Sequence, residues 1–99
     1  MLQAQLFIDL EEQVGDQLLH DYVMRLLAEE GIAGATSFRG YAGFGRNHRI
    51  KYPRDLFSFD EPPALVVFVD EDDRVERAAK KLKVIAPSCL MVIFPVLKI

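Results

Sequence analysis

The stretch Pro63-Ala64-Leu65-Val66-Val67-Phe68-Val69-Asp70-Glu71-Asp72-Asp73 decides the architecture. Residues 64–69 are apolar without interruption, as expected of a strand in the middle of a sheet with both faces covered. Behind the acids, Val75, Ala78, Ala79 and Leu82 recur at helical spacing, and Lys80, Lys81 and Lys83 stand at the far end. Acids at the start and bases at the finish complement a helix dipole. A central strand therefore feeds a helix.

Working outward from that unit, Pro87 closes the helix and Cys89 to Phe94 reads as a last strand. Upstream, Leu2, Ala4, Leu6, Ile8 and Leu10 alternate with Gln3, Gln5, Phe7 and Asp9, which suits a first strand. Leu18, Leu19, Tyr22, Val23, Leu26 and Leu27 then follow helical spacing, with Gly15-Asp16 opening the segment, Asp16 placed to cap it and Gly31 to stop it. Ala35 to Tyr41, flanked by Gly34 and Gly43, is the second strand. The order is β-α-β-β-α-β, an α+β sandwich of ferredoxin-like type: a four-stranded antiparallel sheet with two helices on one face. One domain is expected over 1–99, with a flexible basic loop at about 43–62.

A chain of 99 residues has little interior, yet 51% of its residues are apolar. The last two strands are apolar at nearly every position, so the helix-free face of the sheet is apolar as well. A face of that kind on a small domain predicts self-association through the sheets.

Charge is unevenly placed. Between Gly31 and Arg54 there is no acid, while Arg39, Arg46, Arg49, Lys51 and Arg54 stand there with His48; these are five of the chain's twelve bases, and the other seven face all fifteen acids. A basic segment on an acidic body suits an anion or an acidic partner surface, and the net charge of −3 argues against general nucleic-acid binding. A single cysteine, Cys89, excludes an internal disulfide and points to a reducing compartment. No basic n-region precedes an apolar core, and the apolar run from Val84 to Ile99 is broken by Pro87, Pro95 and Lys98 and is shorter than the roughly 20 residues a spanning helix requires. The expectation is a cytoplasmic protein without membrane insertion.

The sharpest local feature is Gly40-Tyr41-Ala42-Gly43-Phe44-Gly45-Arg46-Asn47-His48. Glycines admit close approach of backbone N–H groups to a ligand, and such groups beside Arg46 and Arg49 form an anion-binding nest in which a phosphate would fit. Gly43-x-Gly45 lacks the third glycine of a dinucleotide fingerprint and does not open a helix. A glycine-rich strand exit without a ligand is the competing explanation. His20 and His48 have no zinc spacing, Ser37, Ser58 and Ser88 lie in no nucleophile elbow, and the acids at 9–12, 60–61 and 70–73 have ordinary uses in turns and helix starts. Catalysis is not expected.

Gly31 through Gly45, the basic loop behind it and Pro62 through Asp70 together resemble the small PII-like proteins related to the nitrogen-regulatory PII signal proteins. The resemblance implies a ferredoxin-like subunit, a homotrimer with sheets facing inward, and a loop that docks on a transporter or enzyme target. It also implies an adenine nucleotide as regulatory ligand in clefts between subunits; no permanent cofactor and no metal are expected. Gly43, Phe44, Gly45 and Arg46 match the phosphate-facing loop base, and Arg49 joins them as a nearby base. Asn47 stands where PII proteins have the glutamine that helps bind 2-oxoglutarate, so that role is not implied. Val84 to Ser88 replaces their glycine-rich basic segment, and only Tyr52 loosely matches the modified tyrosine. Two alternatives stay open: a trimeric metal-handling protein of the CutA type, and a structural interaction module without a ligand.

Overall fold

A computed structural model of the chain describes residues 1–45, 47–52 and 63–99. Arg46 and residues 53–62, which include most of the expected loop, lie outside the described residues. The main elements are β1 (Leu2–Ile8), α1 (Leu19–Glu29), β4 (Ala35–Arg39), β5 (Ala64–Asp70), α2 (Asp72–Ile85) and β6 (Leu90–Pro95), with a small hairpin, β2 (Gln13–Val14) and β3 (Gln17–Leu18), between β1 and α1. The sheet order β4-β5-β1-β6 is antiparallel throughout, the arrangement expected from the β-α-β-β-α-β reading.

Alternation in β1 and β5 sorts the side chains. Ala4, Leu6 and Ile8 of β1 and Ala64, Val66 and Phe68 of β5 are buried beneath the helices. Leu19, Val23 and Leu27 of α1 and Val75, Ala78 and Leu82 of α2 complete that core, each set spaced to lie on one helix face. Each fully covered Val, Leu, Ile or Phe side chain in it contributes roughly 1.5–3 kcal/mol relative to exposure.

One expectation is corrected. Gly15-Asp16 does not open the first helix; it is the two-residue tip of the β2–β3 hairpin, in which Val14 pairs with Gln17. Gly15 has φ +61° and Asp16 does not share that region, the φ pattern of a type II′ turn, which favours glycine at its first central position. Helix α1 instead begins behind Leu18, with no side-chain cap, and the Leu19 N–H donates to the Glu12 carbonyl at 2.8 Å.

The other end of α1 is as expected. Gly31 has φ +80°, its N–H donates to Ala28, and the N–H of Ile32 donates to Leu27, which is a Schellman termination with Ile32 and Leu27 both in the core. Asp70, buried at the end of β5, holds the following connection: its carboxylate accepts the N–H of Ala33 at 2.8 Å and that of Glu71 at 2.7 Å.

The helix-free face is ordered in rows. Phe38, Leu65, Phe7 and Leu90 are directly opposed across β4, β5, β1 and β6, so they stand side by side on one face. Phe38 and Leu90 are 55% and 62% exposed. The next row is Thr36, Val67, Gln5 and Val92, and the third sets Gln3 between Val69 and Phe94. The open face is thus fully apolar at one end and carries two glutamines on its central strand toward the other.

Candidate functional site

At the apolar end of that face lies a cleft of about 520 Å³, within the ordinary range for small-molecule sites. Four parts of the chain meet there, one of them Pro63 just ahead of β5. The end of β1 brings Phe7 and Asp9, with Glu12 just beyond; the loop base brings Gly43, Phe44, Gly45 and Lys51; and the approach to β6 brings Ser88 and Leu90. Phe7 and Leu90 belong also to the first apolar row, so the cleft opens at the rim of the helix-free sheet face.

The loop base is built by backbone pairing. Gly43 and Lys51 form an isolated antiparallel bridge, Gly43 N–H donating to Lys51 O at 3.2 Å and Lys51 N–H to Gly43 O at 2.8 Å. Within it, His48 N–H donates to Gly45 O at 3.0 Å, and Arg49 N–H to Asn47 Oδ1 at 3.0 Å. His48 takes φ +57°, and its ring stacks on Phe44 at 5.9 Å between centroids.

Two glycines have a local reason that composition alone does not reveal. A Cβ on Gly40 would lie 2.7 Å from the Pro63 carbonyl oxygen, and one on Gly43 2.8 Å from Pro63 Cγ. The Gly40 N–H also donates to that carbonyl at 2.7 Å, one pair beyond the β4–β5 ladder, so the strand exit needs glycine to press against Pro63. A Cβ on Gly45 would meet nothing within 4 Å among the described residues.

The structure therefore gathers Gly43, Phe44 and Gly45 on the cleft. Arg49 sits in the same loop segment without lining the cleft, and Arg46 is outside the described residues. Sequence reading did not single out Asp9, Glu12, Lys51 and Ser88 together. Lys51 Nζ is 3.1 Å from Asp9 Oδ2 and 3.9 Å from Glu11 Oε2. Ser88 Oγ donates to Glu12 Oε1 at 3.3 Å. The lysine and its partner are 42 residues apart, and only the sheet topology brings them together.

Cys89 stands just before β6, half-buried, with Sγ 3.7 Å from Glu12 Oε2. Burial first, and the Glu12 carboxylate second, push its thiol up to about 11. That makes it a poor nucleophile at neutral pH. His20 ties α1 to the edge strand through Ser37 Oγ at 2.7 Å. Among the described residues no three His, Cys, Asp or Glu side chains come together as a metal site, and no helix is long and apolar enough to cross a membrane.

A model of the DUF190 family, described as Uncharacterized ACR, matches residues 1–97. The chain belongs to the DUF190 family. Among relatives of this DUF190 chain, the UPF0166 protein of Aquifex aeolicus (strain VF5) is 26% identical over 78 residues, 79% of this chain and 74% of the relative. A UPF0166 protein of Methanocaldococcus jannaschii is 30% identical over 67 residues, 67% of this chain and 60% of the relative. Among solved structures, CPII, a nitrogen regulatory PII-like protein from Thiomonas intermedia K12, superposes with a TM-score of 0.69 at 13% identity, covering 94% of this chain and 82% of CPII. That CPII structure holds ADP, AMP and bicarbonate. A second, with ADP and bicarbonate, gives a TM-score of 0.63 at 15% identity over 94% of this chain and 80% of CPII. The DUF190 chain thus has the PII-like fold anticipated from residues 31–70.

Proposed function

We propose that this chain is a regulatory protein of PII-like type that assembles as a homotrimer with the open sheet faces turned inward. In this reading the cleft at the loop base takes a small anionic ligand, foremost an adenine nucleotide, and loop 43–62 carries the response to a transporter or enzyme target. Gly43, Phe44 and Gly45 contact the ligand, Arg46 and Arg49 supply positive charge, and the chain regulates rather than catalyses.

The observation that carries the reading is the position of the cleft. It joins the glycine-phenylalanine-glycine loop base to the fully apolar row of the helix-free sheet face. A second copy packed over that row would wall the cleft, which suits a ligand bound between subunits. The CPII structures add that one protein of this fold holds ADP, AMP and bicarbonate.

Calorimetry with ATP, ADP, AMP, cyclic AMP and bicarbonate at millimolar concentration tests the ligand, with melting curves alongside. Binding heat and a raised melting temperature are expected for at least one of the five, because a ligand selective for the folded state stabilises it. Five flat titrations with unmoved melting curves contradict the ligand assignment. They would favour the second reading, a ligand-free interaction module, for which the fit of Gly40 and Gly43 against Pro63 supplies a purely structural reason for the glycines.

A further inference from the structure

We infer that Lys51 is an anion-binding residue of the cleft and that Asp9 is its resting counter-ion, so that a ligand's anionic group enters by taking over a lysine the chain itself occupies. The inference rests on the reading of the cleft as a small-anion site. The Lys51 backbone is fixed by its paired hydrogen bonds with Gly43, while its side chain, only 15% exposed, reaches to Asp9 Oδ2 at 3.1 Å. An ammonium drawn under cover is stable only beside an anion. A carboxylate, a phosphate and a bicarbonate present similar oxygen partners to it, and lysine, a point charge on a flexible stem, can exchange one for another.

Asp9 is arranged to stay behind when that exchange occurs. Its Oδ1 accepts the Glu11 N–H at 2.9 Å and its side chain is 47% exposed, so water can solvate Oδ2 once Lys51 turns away. Glu12 is held by Ser88. Among the described residues lining the cleft, the carboxylates of Asp9 and Glu12 therefore face the single ammonium of Lys51, a balance that disfavours a second anion at rest. Asp9 closes the central strand β1 and Lys51 closes the loop base. Their ion pair latches one to the other, and a ligand that takes Lys51 releases the latch, so ligand binding and loop position share one cation.

Wild type, Asp9→Asn and Lys51→Gln are compared by ADP calorimetry and by ligand-free amide hydrogen exchange of residues 44–45 and 47–50. Asparagine is chosen because its side-chain oxygen still accepts the Glu11 N–H, and Asp9→Ser repeats the test if Asn destabilises the fold. Asp9→Asn is expected to bind ADP about 2- to 5-fold tighter, the size of one partly exposed ion pair removed. Lys51→Gln is expected to bind about tenfold weaker or worse. Both variants are expected to exchange faster than wild type in the loop amides. Weaker ADP binding by Asp9→Asn, wild-type affinity in Lys51→Gln, or unchanged exchange in both overturns the inference. Should wild type bind no ADP, the nucleotide reading fails by itself and the probes become bicarbonate and inorganic phosphate: a gain in Asp9→Asn that is absent in Lys51→Gln upholds the exchange, and no gain for either anion refutes it.

Discussion

The Asp70 carboxylate accepts the backbone N–H of Ala33 at 2.8 Å across 37 residues of sequence, fastening the connection behind α1 to the end of β5. Its second oxygen takes the Glu71 N–H at 2.7 Å, and Arg74 approaches at 3.6 Å. The Ala33 hydrogen bond first, then that of Glu71, hold the carboxyl below its ordinary range, against the opposing effect of burial, with Arg74 assisting. Asp70→Asn should destabilise the fold by about 1–3 kcal/mol at neutral pH. Because the folded value is depressed, the stabilisation is fully present above the unfolded value of about 3.9 and is lost as pH falls through the folded one. Melting curves from pH 7 downward should show the gap between wild type and Asp70→Asn closing in acid; a gap independent of pH would assign the carboxylate no such part.

Glycine substitutions separate packing from ligand contact. Gly40→Ala drives a methyl to within 2.7 Å of a backbone oxygen and should cost about 1–3 kcal/mol. Gly45→Ala meets nothing within 4 Å among the described residues and should leave the melting temperature within a degree or two while weakening any ligand that approaches that backbone. Equal melting temperatures for the two variants would contradict the packing argument against Pro63.

The thiol of Cys89, pushed up to about 11 mainly by burial, should alkylate slowly. With iodoacetamide at pH 8 its rate should be roughly a hundredfold below that of a free cysteine and should climb with pH. Glu12→Gln removes the carboxylate that is the second cause of the shift and should speed the reaction. Alkylation at the free-thiol rate in the wild type would contradict the placement of Cys89 against Glu12.

Covering of the open face is tested at its edge. Phe38 of β4 is 55% exposed in the isolated chain, so Phe38→Glu should fold with unchanged far-ultraviolet circular dichroism. Within an assembly joined through that face a buried carboxylate is strongly disfavoured. Sedimentation should find a smaller species than for wild type, and an unchanged assembly would place the contact elsewhere.

The main architecture was legible because strong periodicities spoke for it: the unbroken apolar run of β5, the alternation of β1 and the acid-to-base polarity of α2. The β2–β3 hairpin was not, since Gly15-Asp16 suits a tight turn and a helix start equally well, and two-residue strands leave no alternation to read. Glycine clustering at 40–45 drew attention to the end of the sheet at which the cleft lies, but its fit against Pro63 depends on a strand partner remote in sequence. The Asp9–Lys51 pair was illegible for the same reason. Acids at 9–12 looked like turn residues, and Asp9 does serve a turn with one oxygen while holding the lysine with the other.

The most direct test of the central proposal is the mass of the purified chain in solution by multi-angle light scattering. A PII-like assembly predicts three times the 11.3 kDa of one chain, steady on dilution. A monomer at that mass of one chain would leave the apolar row of Phe38, Leu65, Phe7 and Leu90 uncovered and would contradict the inter-subunit cleft.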